Sequence, residues 1–241
     1  MPPLKRRRAP TNPIEAANRK SDQDFIRDHL QPSPEWTSWT HPTTGASYTL
    51  ALKSPAALSE HELRACFDLV ELTSGADYAA STGGWRPVHK MREMKSTELR
   101  YILVKEAANT AQSGSTGEGR ICGFTSLMPT FEEGEAVVYC YEIHLMDELR
   151  GTGMGRRLMD HLVKVAESIP IIEKVMLTCF VANESARIFY EKLGFTKDAI
   201  SPVERKLRFG KVFKPDYLIM SKRIRDGRGA DGEDGDGWED V

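Results

Sequence analysis

Leu149-Arg150-Gly151-Thr152-Gly153-Met154-Gly155-Arg156 decides how this chain folds. Glycines let the backbone turn tightly and aim several N–H groups the same way. Those donors and the positive end of a following helix suit a pyrophosphate, and Arg150 and Arg156 can add charge to it. Before the turn, 136–146 is too rich in β-branched and aromatic residues to prefer a helix. After it, Leu158, Leu162, Val165, Ala166 and Ile169 recur at helical spacing until Pro170 stops the run. The octapeptide therefore joins a strand to a helix. It lacks the Lys-Ser/Thr ending of a P-loop, and its glycine spacing departs from the dinucleotide fingerprint.

Working outward, 175–180 reads as a strand and 185–193 as a helix closed by Gly194. A last strand is expected at 217–221. Upstream, strands are expected at 47–52, 99–104 and 121–128, and an amphipathic helix at 60–72. An irregular stretch, 77–92, is broken near Gly83 and Gly84. One weakly striped helix is expected over 13–30, followed by a Pro/Ser/Thr-rich loop to residue 45. The order of elements predicts a single α/β domain with a mixed sheet flanked by helices.

The chain has 241 residues, 40% of them hydrophobic, and a formal net charge of −2. That supports one sizeable core and gives no global bias toward nucleic acid or membrane. The ends differ from the middle. Lys5, Arg6, Arg7 and Arg8 form a basic run that serves either as a nuclear address or as a solvated tail, and 226–241 is an acidic, Gly-rich tail. No apolar run reaches membrane length, and no secretory signal is read at the start. Cys66, Cys122, Cys140 and Cys179 are scattered, which predicts free buried thiols and no zinc site.

The segment 150–155 resembles the Arg/Gln-x-x-Gly-x-Gly/Ala motif of the GNAT superfamily of acetyltransferases. Asn183-Glu184-Ser185-Ala186 and Phe189-Tyr190-Glu191-Lys192-Leu193-Gly194-Phe195 resemble its last helix and turn. The resemblance spans about 46–225. It implies the GNAT fold, acetyl-CoA as co-substrate and no metal. It also implies a coenzyme site of Ile143, His144 and Leu145 with the loop Arg150, Gly151, Thr152, Gly153, Met154, Gly155 and Arg156, together with Asn183 and Tyr190. Residues 1–45 are then an N-terminal extension.

Within the superfamily, 138–143 and 174–178 look like the type D N-terminal acetyltransferases, which modify the free α-amine of histone tails beginning Ser-Gly-Arg-Gly. That resemblance implies Glu142 as general base and Tyr139, Tyr141, Thr178, Tyr217 and Glu132 as peptide contacts. The implied partners are histone tails and, as a second candidate, the ribosome. The implied state is a monomer in nucleus and cytoplasm. Thr130 stands where such enzymes carry an acid. The rival readings are a lysine or small-amine acetyltransferase and a non-catalytic tail-binding module.

Glu142 has a physical case of its own. A carboxylate inside an apolar strand is costly unless it is solvated, paired or functional. Acetyl transfer needs an amine stripped of its proton, and a carboxylate in reach can take it. Strict alternation, however, puts Tyr139 and Tyr141 on one face of the strand and Glu142 on the other. All three serve one site only if the strand bulges.

Overall fold

The computed structural model describes residues 12–30, 37–107, 119–206 and 208–225. The basic run and the acidic tail lie outside the described residues. Among those residues the sheet has eight strands in the order β1-β2-β3-β4-β5-β6-β10-β7. Its long members are β2 (Ser47–Lys53), β3 (Arg100–Glu106), β4 (Ile121–Glu132), β5 (Glu135–Leu145), β6 (Lys174–Phe180) and β10 (Tyr217–Arg223). The short ones are β1 (Ser38–Thr40) and β7 (Thr196–Lys197), and a separate hairpin joins β8 (Arg205–Lys206) to β9 (Val212–Phe213).

Two layers cover this sheet. One face carries α1 (Pro13–Asn18), α2 (Asp22–Phe25), α5 (Met154–Ser168) and α6 (Glu184–Lys192). The α5 stripe Leu158, Leu162, Val165 and Ala166 is buried there against Leu127, Val138 and Cys140, in the same cluster as Ile14, Phe25 and Leu30. On the other face, α3 (Glu60–Ala80) packs Leu63, Cys66, Phe67 and Val70 against Tyr101, Leu103 and Phe124. The short helix α4 (Pro87–Glu93) follows it on that side.

Three expectations are corrected. The single helix over 13–30 is two helices. Ser21 accepts a hydrogen bond from Asp24 N–H and starts a second helix, while the Arg100 guanidinium binds the carbonyls of Asn18 and Lys20 at the break. The loop before residue 45 contains β1, which pairs with β2 in a hairpin across 41–46 that propensity does not reveal. Helix α3 runs eight residues past the expected end at 72. Its N-terminus has a full capping box, Ser59 with Glu62, and its C-terminal half continues over the sheet to Ala80.

All neighbours in the sheet are antiparallel except β5 and β6. Those two pair only from Val137↔Lys174 to Cys140↔Leu177. Strand β5 continues five residues further without β6, so the sheet opens like a V at that point. The opening lies beside the glycine turn and the start of α5.

Candidate active site

The bulge that the sequence argument required is present. Ser126 pairs with Glu142 and Leu127 with Cys140, so one step on β4 matches two on β5 and Tyr141 is the extra residue. Below the bulge, Val138 and Cys140 face the α5 layer. Above it, Ile143 and Leu145 do. Tyr139, Tyr141, Glu142 and His144 therefore share the opposite face, toward α3 and α4.

Two cavities meet at this strand. The first is a cavity of about 750 Å³ lined by Ile143, His144, Leu145, Arg150, Gly151, Gly153, Gly155, Arg156, Asn183 and Tyr190. The turn reaches it because Gly151 and Gly153 adopt left-handed backbone, φ 73° and 96°, which a side chain resists. Asn183 caps α6 by accepting from Ala186 N–H, and its amide donates to Asp77. Of the expected coenzyme residues, Thr152 and Met154 do not line the cavity. The Thr152 hydroxyl donates to the Leu149 carbonyl and Met154 is fully buried in the core.

Burial, followed by the nearby Cys140, Cys179 and Glu142, pushes the Tyr190 phenol well above its ordinary value. It stays protonated at neutral pH and is able to donate to a leaving thiolate. Burial likewise pushes the Cys140 thiol up to about 12, so Cys140 is no nucleophile at neutral pH.

The second cavity lies on the α3–α4 side and is lined by all five expected peptide contacts, Glu132, Tyr139, Tyr141, Thr178 and Tyr217. Tyr139 and Thr178 share a hydroxyl hydrogen bond of 2.6 Å across β5 and β6. The Tyr139 and Tyr141 rings lie 5.2 Å apart. Partial burial and then the charge of Glu133 raise the Glu132 carboxyl, and no ion pair is seen for it among the described residues. It is open to a cation. The nearby Glu135 spends its carboxylate on Lys174.

Glu142 is 7% exposed and stands between the cavities. Lys90 Nζ donates to its Oε1 at 2.8 Å, and His144 Nε2 lies 2.6 Å from its Oε2. Burial alone would raise this carboxyl. Hydrogen bonding and charge attraction from His144, then Lys90, outweigh burial and hold it below the ordinary carboxylate range. Lys90 also donates to Glu93 and sits 4.8 Å over the Tyr78 ring.

The Acetyltransferase (GNAT) family pattern matches residues 79–195, which contain β5, the glycine turn and α6. A solved structure of Arabidopsis thaliana NAA60 in complex with a bisubstrate analogue superposes with a TM-score of 0.50 at 11% identity, over 73% of this chain and 100% of that one. The chain has the GNAT fold. N-alpha-acetyltransferase 40 of Saccharomyces cerevisiae is 32% identical over 163 residues, 58% of this chain and 53% of the yeast protein, so the match spans about half of that relative. N-alpha-acetyltransferase 50 of Danio rerio is 23% identical over 125 residues, 52% of this chain and 69% of that protein.

Four residues of this site carry no sequence signal: Thr73, Tyr78, Lys90 and Glu93. Lys90 and Glu93 read as an ordinary i, i+3 surface pair. Only the fold of α4 over β5 buries that lysine against Glu142. Among the described residues no cluster of His, Cys, Asp and Glu is placed to hold a metal, and no helix is long and apolar enough to cross a membrane.

Proposed function

We propose that this chain transfers acetyl from acetyl-CoA to the free α-amine of a protein N-terminus, and that its substrates are histone tails beginning Ser-Gly-Arg-Gly. The observation that carries the reading is the bulge at Tyr141. It turns Glu142 toward the face of the two tyrosines, at the point where two cavities approach each other across one strand. The likeness to two N-alpha-acetyltransferases supports the choice of an α-amine.

In this reading the glycine turn and the start of α5 hold the pyrophosphate. The free edge of β5 beyond Cys140 offers backbone groups to the pantetheine arm and the developing oxyanion. The peptide enters from the α3–α4 side. Tyr139, Tyr141, Thr178 and Tyr217 line its path, and Glu132 pairs with the arginine at the third position. Glu142 accepts the amine's proton as nitrogen attacks the thioester carbon. Acetyl-CoA is a co-substrate, and no metal is called for. The proposal extends to a monomer that works in nucleus and cytoplasm, on finished histones or at the ribosome.

The test uses two peptides beginning Ser-Gly-Arg-Gly, one with a free and one with a blocked N-terminus, both keeping their lysines. Acetylation of the free peptide alone supports the proposal. Modification of both assigns the chain to lysine acetyltransferases. Silence on both with coenzyme binding intact rejects the substrate.

A further inference from the structure

Glu142 is one link of a longer chain of polar groups. Lys90, Glu142, His144 and Thr73 follow one another at 2.8, 2.6 and 2.5 Å. Lys90 lines the peptide cavity, whereas His144 and Thr73 line the coenzyme cavity. The chain thus crosses the sheet opening from one cavity to the other through buried side chains.

The end of this chain fixes where the ring protons of the imidazole sit. Thr73 Oγ1 donates to the Leu69 carbonyl at 2.8 Å. A hydroxyl has one proton to give. With that proton on Leu69, Thr73 can only accept from His144, so Nδ1 carries a ring proton. Nε2 faces the Glu142 carboxylate at 2.6 Å, where two lone pairs would repel, so it carries a proton as well and donates it to Oε2.

The surroundings leave few other places for a proton. Tyr78 on α3, Tyr101 on β3, Tyr190 on α6 and Cys140 on β5 all interact with Glu142, and burial keeps each of them neutral. The charged groups of the cluster are Lys90 and Glu93 on α4, with Glu142 and His144 on β5. Glu142 is held below the ordinary carboxylate range, so it stands ionised between His144 and Lys90.

We propose that His144, pinned by Thr73, holds Glu142 ionised and aimed from the side opposite Lys90. The inference rests on the acetyl-transfer reading above. As the N–C bond forms and the thioester C–S bond breaks, Glu142 takes the amine's proton and His144 keeps its own. The departing thiolate takes up a proton from solvent in the coenzyme cavity and Glu142 releases the amine's proton to solvent, so charge balances over the cycle. His144 acts through Glu142 and is a positioning residue for the base.

The test is the pH dependence of kcat/KM on the free Ser-Gly-Arg-Gly peptide for the wild-type protein and for His144→Gln, with acetyl-CoA affinity measured beside it. The expected result is a kcat lower by about 10²-fold, the magnitude of general-base help. The acidic limb moves to higher pH because Glu142 loses the cation that helps hold it ionised, and acetyl-CoA affinity is unchanged. Thr73→Val, which releases the Nδ1 proton and keeps the volume, moves the limb in the same direction by less. A His144→Gln protein with wild-type kcat and limb overturns the proposal. A second measurement needs no turnover. Imidazole 15N spectra of the full chain are expected to show a proton shared at Nε2 in the wild-type protein and lost in Glu142→Gln. Spectra that do not change overturn the proposal even if the substrate reading has failed.

Discussion

Glu62 gives the sharpest test of how the site is held. Its carboxylate is 1% exposed at the start of α3, the helix that brings Thr73 and Tyr78 to the site. Lys53 on β2 donates to both of its oxygens, Lys105 on β3 to one, and the Ser59 N–H completes the capping box. Burial would raise this carboxyl, but Lys105, Lys53 and the Ser59 amide overcome it and bring it from 4.5 to about 2. That drop corresponds to about 3 kcal/mol of preference for the ionised form in the folded state. The folded value is depressed, so this stability is complete above about pH 4.5 and is lost as pH falls through about 2. Glu62→Gln keeps the shape and removes the charge, leaving Lys53 and Lys105 without their anion. At pH 7 it should cost about 2–3 kcal/mol in urea unfolding and lower Tm by roughly 5–10 °C for a domain of this size. At pH 3.5 the gap between the two proteins should be about 1 kcal/mol smaller. A gap that is constant with pH, or wider in acid, would refute the assignment of this stability to the ionised carboxylate.

Glu142→Gln should keep acetyl-CoA affinity and lose about 10²–10⁴-fold in kcat, as read by single-turnover acetylation of the free peptide. Equal turnover across pH would remove Glu142 from the role of base. Glu132→Gln should raise KM for a peptide with arginine at position three by roughly tenfold, the scale of one charge-assisted contact, and leave kcat near wild type. A peptide with alanine at that position should not distinguish the two proteins. Gly153→Ala forces a side chain onto a residue at φ 96°. It should cost about 1 kcal/mol of stability and weaken acetyl-CoA binding, measured by calorimetry. Unchanged binding would separate the turn from the coenzyme.

The sequence by itself determined the elements that carry their own local signal. The glycine turn announces itself because only glycine readily takes the left-handed backbone found at Gly151 and Gly153, and the α5 stripe because 3.6-residue periodicity has one common cause. Helix α6 was legible from its cap at Asn183 and its stop at Gly194. Seven of the ten expected residues that line the coenzyme cavity sit on these elements, whereas the five peptide contacts lie on strands β4, β5, β6 and β10.

Tertiary structure alone decided what depends on pairing. Alternation placed Glu142 on the wrong face, and only the register of β4 against β5 inserts Tyr141 and reverses it. No residue type marks that bulge, because it is a property of two strands. The partners of Glu142 were hidden for the same reason. Lys90 is 52 residues away in sequence and Thr73 reaches His144 across 71. Local propensity encodes helices and turns within a few residues. The charge state of a buried carboxylate is set by whichever groups the fold carries to within hydrogen-bonding distance.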